Sequence, residues 1–136
     1  MAHQAKLKFE IGKKEYNVVE CEYEFIQPVK ENGQPAGRTS GGLVHLVVIS
    51  PDNNDMFLYD WMQSATEHKD GKVVFTVVEM ENQTIKTLHF KHAFCIRLYE
   101  YFNAHSNAQM YTKITISAAE IAFGESGNVV FRNDQK

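Results

Sequence analysis

Few side chains in this sequence have a spacing that supports catalysis or metal binding. His89 and His92 are three residues apart, which places both rings on one face of a helix but on opposite faces of a strand. The residues around them alternate as in a strand, so we expect no metal site here. No serine lies in a Gly-x-Ser-x-Gly elbow, and no Lys-Ser/Thr of a phosphate loop follows the glycines at 33–42. The sequence therefore predicts no catalytic residue, no metal and no cofactor.

Two further groups of reactive side chains have ordinary structural explanations. Cys21 and Cys95 are far apart in sequence and lack a neighbouring residue that would activate a thiol, so we expect free, buried thiols. Glu20, Glu22 and Glu24 alternate along one face of a predicted strand. Such a row is most often solvated, although it can instead meet a basic face on a neighbouring molecule. Neither group indicates an enzyme.

The composition is that of a single globular domain over residues 1–136. Apolar residues make up 43% of the chain and charged residues 23%, which excludes a disordered chain. A net charge of -3 gives no electrostatic reason to expect nucleic acid or an anionic membrane as a partner. No apolar run is long enough to insert into a membrane, and residues 1–6 lack the apolar core of a signal peptide. We therefore expect a protein made in the cytoplasm.

One helix is predicted, over about residues 51–63. Ser50 suits the N-cap position, and Pro51 suits the first helical position, where no N–H is needed. The apolar side chains that follow have helical spacing and form one stripe: Phe57, Leu58, Trp61 and Met62. A helix this short is marginal alone in water, so we expect the stripe to pack on a sheet.

The rest of the chain alternates as strands do, with turn signals between the strands. Leu43–Ile49 and Val73–Val78 are apolar on both faces, and the second follows a turn expected at Asp70-Gly71. One face can lie in the core, and the other must be covered by the helix or by another subunit. In a domain with one helix, this excess of apolar surface favours oligomerisation. A later long strand is expected to place six apolar residues on one face: Leu88, Phe90, Phe94, Ile96, Leu98 and Phe102. The fold class is mainly β, an antiparallel barrel or sandwich of about seven to nine strands.

A long loop is predicted at residues 28–42. It contains two prolines, four glycines and the turn pair Asn32-Gly33. A loop of this length is unusual in a compact domain, and two explanations remain open. It is either a floppy hairpin tip or an arm that docks on another molecule and becomes ordered there.

Several short groups of residues, in a fixed order and spacing, carry a family resemblance. They are Tyr16-Asn17-Val18 with Cys21, Tyr23, Phe25 and Gln27; Gly33, Pro35 and Arg38; Gly41-Gly42 with Leu46; Phe57, Trp61 and Met62; Asp70-Gly71; Lys86-Thr87-Leu88 with Phe90, Ala93 and Cys95; and Ile114-Thr115-Ile116-Ser117-Ala118. Together they resemble the tube protein of the type VI secretion system, the Hcp or TssD family, in a divergent branch. The glycine-rich first hairpin of the better-known branch is missing.

The resemblance implies a structural subunit rather than an enzyme. Members of the family are β-barrels with one helix, and they form hexameric rings that stack into a tube inside a contractile sheath. The implied partners are further copies of the chain, the sheath, spike and baseplate proteins, and effectors carried in the lumen. The implied location is the cytoplasm, followed by export through this machine without a signal peptide.

The resemblance also suggests two sets of contact residues. The loop would reach the next ring through Asn32, Gly33, Gln34, Pro35 and Arg38. A polar strand face would line either the lumen or the solvent through Tyr111, Lys113, Thr115 and Ser117. Two alternatives remain open at this point: a phage-like tail-tube subunit, and a monomeric barrel whose interior is wide enough to bind a small ligand.

Overall fold

The computed structural model describes residues 2–27, 29–35, 42–105, 109–124 and 129–132. Within these ranges it contains seven strands and one α-helix. In chain order the elements are β1 (His3–Phe9), a 3₁₀ turn (Ile11–Lys13), β2 (Lys14–Tyr23), β3 (Leu43–Ile49), α1 (Phe57–Gln63), β4 (Lys69–Val77), β5 (Met80–Asn103), β6 (Gln109–Phe123) and β7 (Val129–Arg132).

The strands form a closed barrel. They follow the order β3-β2-β1-β4-β5-β6-β7, all neighbours are antiparallel, and β3 also pairs with β6. Six strands therefore close on themselves, and β7 adds a short seventh strand beside residues 120–123 of β6. The predicted antiparallel barrel with one helix is confirmed.

Apolar side chains fill the barrel interior because alternate residues of each strand point inward. The interior includes fully buried residues from β1, β3, β4, β5 and β6: Leu7, Val44, Leu46, Val48, Val73, Leu88, Ile114 and Ile116. The Phe9 ring then contacts Trp61 of α1, with ring centroids 5.5 Å apart at nearly a right angle. The helix thus packs on the apolar core of the barrel.

The helix is shorter than predicted and begins at Phe57 rather than near residue 51. A turn precedes it, in which the Asn54 N–H donates to Asp52 Oδ1 at 2.9 Å and the Asp55 N–H donates to the Asp52 carbonyl at 3.0 Å. Ser50 does not cap the helix, because its hydroxyl bonds to Thr112 Oγ1 at 2.7 Å. Aspartate side chains that bond to nearby backbone compete with helix formation in this way.

The apolar stripe of the helix is confirmed. Leu58 and Trp61 have no solvent exposure, and Phe57 and Met62 pack against the core as partly buried residues. The indole N–H of Trp61 donates to the Glu67 carbonyl at 3.2 Å, so the polar atom of this buried ring is satisfied. The stripe thus supplies the tertiary packing that a seven-residue helix needs.

The expected alternation of β5 is wrong between Phe90 and Leu98, because two irregularities shift the strand there. His92 has a positive φ of 49°, and a bulge lies between Cys95 and Arg97. As a result Cys95 is buried, whereas Ile96 is 50% exposed. A bulge inserts one unpaired residue, so the side chains beyond it change face. The second irregularity reverses the first, and Leu98 packs against the core as expected.

Asp70-Gly71 is not a turn, since both residues lie inside β4. Gly71 is required there by a close approach between strands. A Cβ at this position would lie 2.6 Å from the Phe90 ring and 2.9 Å from the Lys8 carbonyl oxygen. The predicted turn is therefore wrong, and Gly71 instead allows a close approach within the sheet.

Candidate assembly surfaces

Four strand segments form one continuous sheet on one side of the barrel, which we call the wall. They are residues 20–23 of β2, all of β3, residues 109–117 of β6 and residues 94–103 of β5. The other strands, β1, β4 and the first half of β5, together with α1, lie on the core side of the wall. The body of the domain therefore backs the wall, and no described element packs on its outer face.

The wall has two open edges within the described part of the chain. Residues 20–23 of β2 pair with β3 alone, because the pairing of β1 with β2 ends at Val18. Residues 94–103 of β5 pair with β6 alone, because the pairing of β4 with β5 ends at Ala93. Each edge presents unpaired backbone N–H and C=O groups, which can form hydrogen bonds to another strand.

Apolar side chains are exposed along or beside both open edges. Val19 and Ile26 flank the β2 edge and are 50% and 56% exposed. Ile96 and Phe102 lie on the β5 edge and are 50% and 58% exposed. In a monomer, exposed apolar residues beside unpaired strands promote aggregation. These edges are therefore suited to contact with other chains.

The outer face of the wall carries the predicted polar residues of β6. Thr115 is almost fully buried and lies 3.1 Å from His45 Nδ1, while Tyr111, Lys113 and Ser117 are half-buried. Their neighbours on β6 point into the core. The four predicted residues therefore do share one face, as the alternation of the sequence indicated.

Two tyrosines of β5, Tyr99 and Tyr101, extend this outer face next to Tyr111. The Tyr99 and Tyr101 rings are 5.5 Å apart and stacked, and the Tyr101 and Tyr111 rings are also 5.5 Å apart. The Arg97 guanidinium lies 5.9 Å from the Tyr99 ring centroid. Desolvation, together with the charge of Glu20, raises the pKa of Tyr101. The Tyr101 and Tyr111 rings come together only through the pairing of β5 with β6, so the sequence does not show this aromatic group.

Glu20 and Glu22 of the acidic row lie on the same outer face, whereas Glu24 follows the end of β2. Glu20 and Glu22 line a shallow cavity of about 250 Å³ together with His45, Val47 and Lys113. All three glutamates are exposed, and among the described residues none forms an ion pair within 4.0 Å. The outer face therefore combines negative charge, positive charge and aromatic rings.

The described part of the predicted loop contains a small hairpin. Val29 pairs with Pro35, and Gly33 has a φ of +86°, which favours glycine. The Gly33 N–H donates to the Lys30 carbonyl at 2.9 Å, and the Lys30 N–H donates to the Gln34 carbonyl at 2.8 Å. The Asn32-Gly33 turn is thus present, with Asn32, Gly33, Gln34 and Pro35 all exposed. Arg38 lies outside the described residues.

A groove of about 610 Å³ was missed by sequence reasoning. It is lined by six lysines, Lys8, Lys13, Lys14, Lys69, Lys72 and Lys91, against three carboxylates, Glu10, Glu15 and Asp70. The lysines come from several separate segments, so no local cluster in the sequence signals the groove. It lies on the body of the domain, where β1, β4 and the first half of β5 meet.

The residues considered for chemistry have structural roles. Cys21 and Cys95 are free, and burial raises the pKa of each thiol to about 11. His89 lies 3.0 Å from the Gly124 carbonyl, while the His92 ring packs 4.6 Å from that of His68. Among the described residues, no three His, Cys, Asp or Glu side chains are grouped so that they could hold a metal ion.

Comparison with known proteins identifies the family. The family model described as "Hemolysin coregulated protein Hcp (TssD)" matches residues 1–134. The chain belongs to the Hcp family. Hcp proteins are tube subunits of type VI secretion systems, and the family is one of structural proteins rather than of enzymes. Members are secreted by these systems.

Solved structures agree with this membership. The structure of Hcp1 from Flavobacterium johnsoniae is 30% identical, with a TM-score of 0.82, and the match covers 96% of this chain and 99% of that one. Hcp1 from Salmonella typhimurium is 12% identical, with a TM-score of 0.68 and coverage of 90% and 86%, which shows the shared fold. A search of curated proteins finds no match.

An extracellular contractile injection system also contains a chain of this fold. Its sheath-tube complex in the extended state includes a chain that is 21% identical, with a TM-score of 0.59 and coverage of 88% of this chain and 87% of that one. This likeness shows the fold alone.

In the ranges described for the present chain, no helix is both long and apolar enough to cross a membrane.

Proposed function

We propose that six copies of this Hcp chain close into a ring by pairing the two open edges of the wall, and that the rings stack into the secretion tube. The observation that carries the proposal is the pair of open edges on opposite sides of one sheet. Because the two edges differ, each copy joins its neighbour head to tail, and such a contact closes into a ring when the rotation permits. The number six is that of the family's rings.

Edge pairing explains the exposed groups along the wall. Backbone hydrogen bonds across the junction contribute about 0.5–1.5 kcal/mol each, and burial of Ile96 and Phe102 adds hydrophobic stabilisation. The β2 edge carries Glu20 and Glu22, and the β5 edge carries the exposed Arg97. Opposite charges at the rim help to select the correct register.

The outer face of the wall then lines the lumen. In a closed ring of sheets, the bulky side of each subunit must lie outward, where the circumference is larger. The body of the domain and α1 lie on the core side of the wall, so the opposite face points inward. We therefore assign Tyr111, Lys113, Thr115 and Ser117 to the lumen, together with Glu20 and Glu22. A lumen with both charges and aromatic rings suits the carriage of effector proteins.

The hairpin at residues 29–35 joins one ring to the next. It is exposed, and the Asn32-Gly33 turn gives it a defined shape before any contact forms. Asn32, Gly33, Gln34, Pro35 and Arg38 are the residues that we expect to contact the adjacent ring. The shape of the hairpin lowers the entropy lost on docking.

The lysine groove lies on the body of the domain, so in the tube it faces outward. An excess of lysines over carboxylates there favours an acidic surface on a partner. We place the contact with the sheath at this groove, and spike and baseplate proteins at the two ends of the tube. Within the described residues, buried side chains fill the interior of the barrel, which counts against a ligand-binding barrel.

Light scattering on a sizing column, with negative-stain images of the peak, tests ring formation. We expect about six times the mass of the 15.6 kDa chain, together with ring-shaped particles.

Replacing Ile96 and Phe102 by lysine should convert the ring into a monomer, because charged residues on a strand edge oppose pairing. The matched control replaces Val78 and Met80 by lysine, which adds the same two charges at residues that are 43% and 55% exposed and lie in and beside the turn between β4 and β5. A wild-type monomer at high concentration would overturn the proposal.

A further inference from the structure

Four aromatic rings pack together where the loop leaves the barrel, and we call them the aromatic cluster: Tyr23, Phe25, Phe123 and Phe131. The Phe25 and Phe131 rings are stacked, with centroids 4.0 Å apart and an angle of 20° between planes. Phe123 contacts the other three rings, with centroid distances of 5.5 Å to Tyr23 and 6.0 Å to both Phe25 and Phe131. The cluster joins the end of β2 to the ends of β6 and β7.

The four-residue strand β7 contributes one ring, Phe131, to the aromatic cluster. β7 lies outside the closed barrel and, among the described residues, pairs only with residues 120–123 of β6. None of its four residues belongs to the fully buried core. Its closest ring contact is the stack of Phe131 on Phe25, which lies three residues before the loop that starts at residue 28. The strand therefore adds little to the core but holds the root of the loop.

We propose that β7 positions the loop for ring stacking, and that Phe131 is the positioning residue. This inference rests on the proposed function, in which the hairpin at residues 29–35 contacts the adjacent ring. Stacking on Phe131 fixes the direction in which the chain leaves β2. A loop held in its docking direction loses less conformational entropy on contact, so ring stacking is strengthened without any new contact between rings.

The test compares Phe131→Ala with two other variants of the full chain. Phe131→Tyr keeps an aromatic ring and should behave as the wild type. Val129→Ala also shortens a side chain of β7, but at a residue that is 54% exposed and outside the cluster. All variants should give the same far-ultraviolet circular dichroism, since β7 is not part of the closed barrel.

The first readout is hydrogen exchange at the Lys30 and Gly33 amides, both of which donate to carbonyls within the hairpin. In Phe131→Ala we expect exchange at these amides to become roughly tenfold faster, the size expected for loss of one aromatic stack. Exchange in Phe131→Tyr and Val129→Ala should match the wild type. Unchanged exchange in Phe131→Ala would overturn the proposal whether or not the protein forms tubes.

The second readout is the length of tubes in negative-stain images, measured together with the mass of the rings. Phe131→Ala should keep the ring mass and shorten or abolish tubes, and Phe131→Tyr should restore them. Faster exchange with tubes of normal length would overturn the link between the loop root and stacking. If wild-type protein forms no rings, the proposed function fails, while the exchange experiment still decides whether Phe131 holds the hairpin.

Discussion

Trp61 is the residue on which the packing of α1 depends. Its ring has no exposure, contacts Phe9 and has its N–H satisfied by Glu67. Trp61→Ala should lower the free energy of unfolding by about 3–5 kcal/mol, because it removes a large buried ring and leaves a cavity. Urea unfolding at one fixed protein concentration measures this loss. Ile11→Ala, at a residue that is 71% exposed, should change it by less than about 0.5 kcal/mol, and equal losses would contradict the assigned packing.

The two thiols make stability depend on alkaline pH. Burial raises the pKa of Cys21 and Cys95 from 9.0 to about 11, so the folded state holds these protons more tightly than the unfolded state does. The resulting stabilisation is fully present below pH 9 and is lost as pH rises through about 11. A Cys21→Ala, Cys95→Ala variant should show a shallower decline in urea midpoint between pH 9 and 11 than the wild type. Identical slopes would show that the thiols do not contribute.

The hairpin at residues 29–35 is the element that separates ring stacking from ring closure. Replacing residues 30–34 by Asn-Gly keeps a two-residue turn but removes most of the exposed tip. We expect the shortened protein to keep the ring mass in light scattering and to form no tubes in negative-stain images, because the open edges of the wall are intact. Loss of the ring would show that the hairpin acts in closure and would contradict the division of roles.

Elements with a strong local pattern were predictable from sequence, and irregular ones were not. The apolar stripe of α1 and the barrel class follow from spacing alone, since burial has the same period as the structure. The start of α1 was misplaced because Asp52 and Ser50 bond to local backbone and to Thr112 rather than to the helix end. The faces of β5 were misassigned only at residues 93–96, because His92 and the bulge before Arg97 shift the alternation there and no residue type indicates either.

The candidate surfaces were predictable only in part. The polar face of Tyr111, Lys113, Thr115 and Ser117 follows from period-two alternation within one strand. The open edges do not, because they depend on where each strand pairing ends. The lysine groove is likewise invisible in the sequence, since its residues come together only through the pairing of β1, β4 and β5.

At the scale of the whole molecule, the wall and the body of the domain define an inside and an outside. The wall has a polar outer face and two open edges, and the body carries α1 and the lysine groove. The chain has a net charge of -3, although six of its lysines line one groove. The rest of the molecule therefore carries a larger negative charge than the chain as a whole. This uneven distribution matches a subunit whose two sides meet different partners.

A cryo-electron microscopy structure of the assembled particle is the most direct test of the central claim. We predict that residues 20–23 of one copy run beside residues 94–103 of the next, with Tyr111 and Lys113 facing the lumen. Particles in which both edges remain exposed to solvent, or in which the outer face of the wall points outward, would contradict the account.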